Sequence, residues 1–418
     1  MIKNKKNKIE IMAPVGSYES LMAAIKAGAD SVYFGIEQLN MRARAAKRFT
    51  LDDLPKITKI CREKNVKTYI TLNVVMYNED LQLMKKICDT AKKAKIDAVI
   101  CTDIAAIKYA HSIDLEVHIS TQANVSNIEA VKFYSQFADV IVLARELNLN
   151  QINEIIKSIK KEKIEGPKGE LIKIELFVHG ALCVSISGKC YMSLAQYNHS
   201  ANRGDCLQVC RRSYKVTDEE TGDELMIDNK FVMSPKDLCT IGIIDKIIES
   251  GVSVFKIEGR GRSPDYVYTT VKVYKEAVDN YFSGTYTKEK IDTWIKELEK
   301  VFNRGFWQGG YYLGNKLGEW SGTYGSKSTV EKIYIGKVKN YFARKKIVYL
   351  IIETGEIGVG DEILITGPTT GVVKTKVKEL YVNDNHKEKA KKGDLVTVPI
   401  QEKVRANDKL FVLNKKEK

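Results

Sequence analysis

Five of the chain's eight cysteines fall between residues 183 and 239: Cys183, Cys190, Cys206, Cys210 and Cys239. Thiolates bind soft metals and act as nucleophiles, so such a crowd points to metal or catalytic chemistry. The gaps of six, fifteen, three and twenty-eight residues lack the paired C-x-x-C spacing of a structural zinc ribbon. They suit an iron–sulfur cluster, which accepts four thiolates gathered from separate loops. Five cysteines compete for four places, and Gly188 and Gly204 allow the close chain approach such a site needs. The plain alternative is five unrelated buried thiols. Cys61, Cys88 and Cys101 stand far apart and within apolar patterns, and read as small buried hydrophobes.

These residues must be positioned by the elements around them. The first 260 residues alternate short, β-branched apolar runs with amphipathic stretches. The runs are IEIMAP, SVYFGI, TYITLNVV, AVICTD, EVHISTQ, VIVLARE, IELFVHG and VFKIEG. Near-continuous apolar strands are buried on both faces, as in parallel sheets. Eight of them with interposed helices predict an α/β fold, a TIM-type (β/α)8 barrel, with an open doubly wound sheet as the alternative. No G-x-G-x-x-G follows the first strand, which leaves dinucleotide binding without support.

About seventy residues separate the seventh strand from the eighth and hold all five clustered cysteines, with a helix (PKDLCTIGIIDKIIES) leading into strand eight. The expected organisation is a barrel over residues 1–282 with a Cys-rich insertion at 181–240. A helical and Gly/aromatic-rich connector follows at 283–330, and a small all-β barrel domain at 331–418. In the connector, Trp307, Tyr311, Tyr312 and Trp320 read either as loop residues or as a surface that stacks on bases.

Active sites of such barrels lie at the C-terminal strand ends. The polar residues there are Asn73, Asp103, Gln122, Arg145, Glu146, His179, Glu258 and Arg260. Each alone is as well explained by a cap or a loop; together they describe a polar pocket. Arg42 and Arg44 follow strand two. They read as a solvated loop, or as two guanidiniums over the pocket, a pair that suits a small dicarboxylate by bidentate contacts.

The 418 residues are 44% hydrophobic and 29% charged, which fits a soluble protein with a large core. No apolar run approaches the ~20 residues that span a bilayer. The basic N-terminus has no apolar signal region, so the expected compartment is the cytoplasm. Net charge is +14, and residues 331–418 carry 19 Lys+Arg against 12 Asp+Glu, half of the excess. An anionic partner, RNA first, is one reading; a Lys-rich solvated surface is the other.

The segment IELFVHGALCVSISGKCYMS resembles the signature of the collagenase-like peptidase U32 family. Glu175, Phe177, Gly180, Ala181, Leu182, Cys183, Gly188, Cys190, Met192 and Ser193 fill every place of it. The segments MAPVGSYESLMAAIKAGADSVYFG, NRGDCLQVCRRSY, SPKDLC and FKIEGRGRSPDYV are also similar to the family, so the resemblance spans nearly the whole chain. It carries a peptidase label, yet its better-understood branches resemble hydroxylases that hold an oxygen-sensitive [4Fe-4S] cluster. They work without molecular oxygen, and prephenate is the implied oxygen donor. By motif, the resemblance implies Cys183, Cys190, Cys206 and Cys239 as cluster ligands, with Cys210 as the spare or a substitute for Cys206.

One branch forms 5-hydroxyuridine at the tRNA wobble position, another modifies a ribosomal RNA cytidine, and a third acts on ubiquinone precursors. One barrel plus one small basic β domain matches the tRNA branch. The expectation is therefore a tRNA-modifying hydroxylase with tRNA as partner and no membrane association. His179 and Glu258 are the expected proton-transfer residues, with Arg145 and Arg260 holding anionic groups. Some family members resemble partners in heterodimers, so a paralogous U32 subunit belongs to the expectation. A peptidase is the first alternative, although no H-E-x-x-H and no G-x-S-x-G is present. A non-catalytic RNA-binding or assembly factor is the second.

Overall fold

In the computed structural model, strands β1 (Glu10–Pro14), β2 (Ser31–Gly35), β3 (Lys67–Leu72), β4 (Ala98–Cys101), β5 (Val117–Ile119) and β6 (Val140–Val142) run parallel in chain order. The structure describes residues 9–43, 49–186, 189–215, 217–222, 231, 233–314 and 319–416; Arg44 and Gly188 lie outside them. Strand β7 (Lys173–Gly180) continues the sheet. It is followed by β8 (Asp237–Cys239), which belongs to the insertion, and then by β9 (Val254–Ile257). β9 pairs in parallel with both β7 and β1, which closes an eight-stranded parallel barrel.

Period-two alternation divides the strand residues. Met12, Tyr33, Tyr69, Ala98, Ile100, Val140 and Val254 form one cluster inside the barrel. Ile11, Val32, Phe34, Ile70 and Val99 face the surrounding helices. These include α1 (Tyr18–Lys26), α2 (Leu54–Arg62), α3 (Leu81–Lys93), α4 (Ile104–Ser112), α5 (Ile128–Ser135) and α6 (Leu149–Glu162). Cys61, Cys88 and Cys101 are fully buried in this layer.

The insertion carries a short helix, α7 (Met192–Tyr197). The expected helix before strand eight begins late. Asp237–Cys239 instead extends as β8, antiparallel to the end of β7 and parallel to β10 (Phe306–Gln308), and after a 3-10 turn at Ile241–Ile243 only Ile244–Glu249 is α-helical, as α8. Backbone groups that must be buried are satisfied by the open edge of β7 rather than by a helix.

The connector packs on the barrel. After α9 (Pro264–Phe282), helix α10 (Lys288–Glu299) buries Trp294 and Leu298 against its core. Trp307 is 1% exposed, and Tyr312, also buried, donates its hydroxyl to the Phe177 carbonyl at 2.7 Å. Neither can stack on a base. Trp320 is half-buried and bridges to Pro235.

The C-terminal region is an antiparallel β domain. Its strands are β11 (Val330–Phe342), β12 (Ile347–Ile352), β13 (Glu356–Gly358), β14 (Glu362–Gly367) and β15 (Gly371–Lys376), then β16 (Tyr381–Val382), β17 (Asn385–His386), β18 (Lys389–Lys391), β19 (Leu395–Pro399) and β20 (Lys409–Lys415). Eight of these pair in the order β15-β14-β20-β11-β12-β19-β16-β17, and β13 pairs with β18. Alternating residues such as Val348, Leu350, Ile363, Ile365 and Leu410 build a separate core. The domain is docked on α1 and α9. Ala23 packs on Leu364 and Val372, Lys26 donates to the Val372 carbonyl at 2.6 Å, and Lys332 pairs with Asp265 at 2.6 Å. At Gly371, φ is +68° and a Cβ would stand 2.9 Å from the α1 backbone, so only glycine permits this approach.

Candidate functional site

A cavity of about 220 Å³ opens at the C-terminal mouth of the barrel, walled by strand ends on one side and the Cys-rich insertion on the other. Of the sequence-derived candidates, Arg42, Asn73, Gln122, Arg145, Glu146, Glu258 and Arg260 line it. Lys256, Tyr33, Phe177 and Tyr311 also line it; the sequence marked Phe177 as part of the family signature and Tyr311 as a base-stacking candidate, but gave Lys256 and Tyr33 no role. A lysine in the middle of the apolar strand VFKIEG was the available signal for Lys256: a buried ammonium needs a partner. Its Nζ lies 2.6 Å from Glu175 Oε1, inside the barrel, 4.7 Å from the centroid of the Tyr33 ring. Burial lowers its pKa, against the attraction of Glu175.

The cationic groups differ in their freedom. Arg260 is 7% exposed, and its Nη1 donates to Asn40 Oδ1 at 2.9 Å and Thr71 Oγ1 at 2.6 Å, while Nη2 donates to the Met41 carbonyl. Burial pushes its pKa down to about 10, which still leaves it cationic. It ties β9 to β3 and to the turn after β2. Arg145 donates Nη1 to the Ala181 carbonyl at 3.1 Å and lies over the Phe177 ring, its guanidinium carbon 3.9 Å from the centroid. Its buried Nε has no partner among the described residues. Arg42 sits in a left-handed turn, φ 72°, with Nη2 3.4 Å from Glu258 Oε1. Burial opposes ionisation of Glu258, but Arg42, Arg262 and Arg145 outweigh it and hold the carboxyl below its usual range. The pocket therefore pairs an ionised carboxylate with guanidiniums.

The opposite wall carries thiols. Cys183, Cys190, Cys206 and Cys210 all line the cavity. Cys183 is exposed and the other three are half-buried. The Met192 N–H donates to Cys190 Sγ at 3.4 Å and the Gln208 N–H to Cys206 Sγ at 3.3 Å. Burial pushes the Cys210 thiol up to about 11; Arg211 lowers it, and Cys183, Cys206 and Cys190 each raise it. Irregular loops present these groups, and buried hydrogen bonds hold the loops. Arg211 donates to the carbonyls of Leu182 and Pro235, Arg203 grips Asp80 through both nitrogens, and the Leu207 N–H donates to Ser193 Oγ at 3.0 Å. Gly204, with φ +83°, lies so close to the Asn40 carbonyl that a Cβ would stand 2.3 Å from it.

The fifth cysteine is elsewhere. Cys239 is 1% exposed on β8 and contacts Tyr274 and the Ile241 backbone, and burial pushes its thiol up to about 11. Of the ligand set implied by the motif, Cys183, Cys190 and Cys206 share the pocket wall and Cys239 does not, while Cys210 lines the cavity beside the first three. Among the described residues no three His, Cys, Asp or Glu side chains converge tightly enough for a single metal ion. Four thiols lining one cavity are the donor type that an iron–sulfur cluster takes.

His179 is a correction. It is 2% exposed and does not line the cavity. The β7–β9 register shifts between Phe177 and His179, so the strand bulges at Val178. A bulge reverses the alternation. Phe177 faces the pocket, while His179 turns outward among Tyr266, Tyr274 and Phe306. Burial pushes its pKa down to about 3, against the pull of Glu258, which leaves a neutral ring. Asp103 is also structural: it caps α4 through the Ala105 N–H and accepts from the Met76 N–H. Asn73 donates to Ser120 and Gln122, a polar ledge on the pocket wall.

Fold and site together define a β/α-barrel protein with a thiol-walled, guanidinium-lined pocket at the mouth where such barrels do chemistry. The chain belongs to Peptidase family U32, whose family model matches residues 16–322. It is 57% identical over 411 residues to a collagenase of Porphyromonas gingivalis, covering 98% of this chain and 99% of that one. It is 32% identical over 374 residues to the tRNA hydroxylation protein P1 of Bacillus subtilis, covering 86% of this chain and 84% of that one. A 23S rRNA 5-hydroxycytidine synthase of Escherichia coli is 31% identical over 306 residues, 72% of this chain and 44% of that protein. These relatives bear enzyme names. Among the described residues no helix is long and apolar enough to cross a membrane.

Proposed function

We propose that this chain is an RNA-modifying hydroxylase that forms 5-hydroxyuridine at the tRNA wobble position without molecular oxygen. The observation that carries the reading is the shared cavity, in which four thiols face an ionised carboxylate and a set of guanidiniums. Cys183, Cys190, Cys206 and Cys210 would hold a [4Fe-4S] cluster. When bound, the cluster supplies redox-active iron beside the substrate. Arg42 and Arg145 would bind the carboxylates of an oxygen donor such as prephenate, since two guanidiniums match two carboxylates. Half-buried Tyr311 offers a ring to an uracil splayed from its loop, where extrusion costs least because the base is already unpaired. Glu258, held ionised, would accept the proton released from C5 of the base.

Length favours the tRNA branch: the tRNA hydroxylation relative is matched over 84% of its length and the rRNA synthase over 44%. The second reading, a peptidase, rests on the collagenase name of the 57% identical relative. The pocket offers it little. No histidine lines the cavity among the described residues, and the neighbour of Cys183 Sγ is Ser185 Oγ at 3.2 Å. A Cys–His pair, the usual activated thiol, is missing there. Deleting the gene should remove 5-hydroxyuridine and its further-modified forms from wobble positions, read by mass spectrometry of digested tRNA. Unchanged tRNA together with gelatin cleavage by the pure protein would replace this reading with the peptidase.

A further inference from the structure

A second cavity, about 720 Å³, lies between the barrel rim and the β domain. Its barrel wall is the loop after β1, from Gly16, and the loop after β9, from Arg260 to Asp265. Its other wall comes from the β14–β15 turn and the segment from Arg405 to Phe411. Arg260 belongs to the walls of both cavities, which places the groove beside the thiol-walled pocket.

The groove is cationic. Arg262, Lys332, Arg405 and Lys409 face it, with Glu19, Asp265 and Asp408. Two of the three acids are already engaged: Lys332 pairs with Asp265, and buried Asp408 accepts from Thr370 and from the Arg405 N–H at 2.8 Å. Arg405 and Lys409 stand exposed. The docking contacts of α1 and α9 on the β domain fix the two walls, so the groove is preformed.

We infer that this groove holds the phosphates of an RNA strand whose target base enters the pocket. The inference rests on the RNA-modifying reading and names the surface that serves it. Phosphate contacts set register while the pocket reads the base. A peptide strand fits less well. It would dock by adding to a sheet edge, but β14 is paired on both sides, by β15 and β20, and β20 by β11 and β14.

The test is the full-length double variant Arg405→Glu/Lys409→Glu, with Arg405→Gln/Lys409→Gln as a milder form. Binding of total tRNA is measured by anisotropy across about 50–200 mM salt. Wild-type protein and a control on β18, Lys389→Glu/Lys391→Glu, outside the groove lining, are run in parallel. The expected result is about tenfold or greater loss for the groove variants, with the slope of log K against log salt reduced by about two, one per lost phosphate contact. Melting curves should stay within those of the control. Unchanged affinity and slope in the groove variants, with intact wild-type binding, would overturn the groove and leave the tRNA reading standing. Failure of wild-type protein to bind tRNA would defeat both. Loss of gelatin-peptide binding alone in the groove variants would make the groove a peptide path and overturn the inference.

Discussion

Arg42 Nη2 and Glu258 Oε1 meet 3.4 Å apart across the pocket mouth, joining the turn after β2 to the end of β9. Burial alone would push Glu258 up, and Arg42 is the largest influence holding it down. Removing Arg42 should therefore move the acid limb of the pH–activity profile to higher pH, because Glu258 would then take up its proton sooner. Glu258→Gln should abolish that limb and lower the rate by about 10²–10⁴-fold, the usual range for a lost general base. An acid limb at the same pH in Arg42→Ala and wild type would show that Glu258 is not the titrating group.

Arg145 and Arg260 should behave differently. Arg145 keeps a buried Nε with no partner among the described residues, so Arg145→Ala should lower activity with little change in melting temperature. Arg260→Ala strands Asn40, Thr71 and the Met41 carbonyl, each unsatisfied buried group costing about 1–3 kcal/mol. Its main effect should be on stability, measured by denaturant unfolding. The opposite assignment of the two effects would contradict the geometry.

Iron and sulfide analysis of anaerobically purified variants checks the thiol wall. Cys183→Ala, Cys190→Ala, Cys206→Ala and Cys210→Ala should each lose most of the cluster. Cys61→Ala, Cys88→Ala and Cys239→Ala should retain it, since those thiols are buried away from the cavity. Retention in Cys210→Ala with loss in Cys239→Ala would show that β8 reorients its cysteine toward the pocket.

His179 sets an acid limit on stability. Its folded pKa is depressed, from 6.5 to about 3, so its contribution is fully present above 6.5 and is lost as pH falls toward 3. In that window the unfolded chain binds one more proton, a slope of about 1.4 kcal/mol per pH unit. His179→Phe keeps the ring among Tyr266, Tyr274 and Phe306 and should flatten the slope by about one proton, whatever its effect at neutral pH. It should also leave cluster content unchanged. An unaltered acid slope would mean that His179 is not buried neutral.

The barrel was legible because parallel strands buried on both faces leave near-continuous apolar runs, and VYFG or AVIC needs no tertiary knowledge to be recognised. The β domain was legible from the change to short strands after residue 330. The connector was not: its glycines and aromatics read as loop, while Trp307 and Tyr312 are core residues of the barrel. Composition does not distinguish an aromatic that stacks on a ligand from one that fills a cavity beside β8.

By itself the sequence determined the eight-strand order, the crowding of five thiols into one insertion, the family signature and the positive excess of the last 88 residues. All of these are local patterns or counts. Tertiary structure decided which of those residues share a space. Alternation along a strand predicts His179 in the pocket, and one extra residue at Val178, set by pairing with β9, turns it away. Spacing leaves five cysteines for four places, and the pairing of β8 with β7 buries Cys239 while the loop held by Arg211 brings Cys210 to the cavity. Register and loop closure depend on partners distant in the chain, and for that reason no reading of neighbouring residues could supply them.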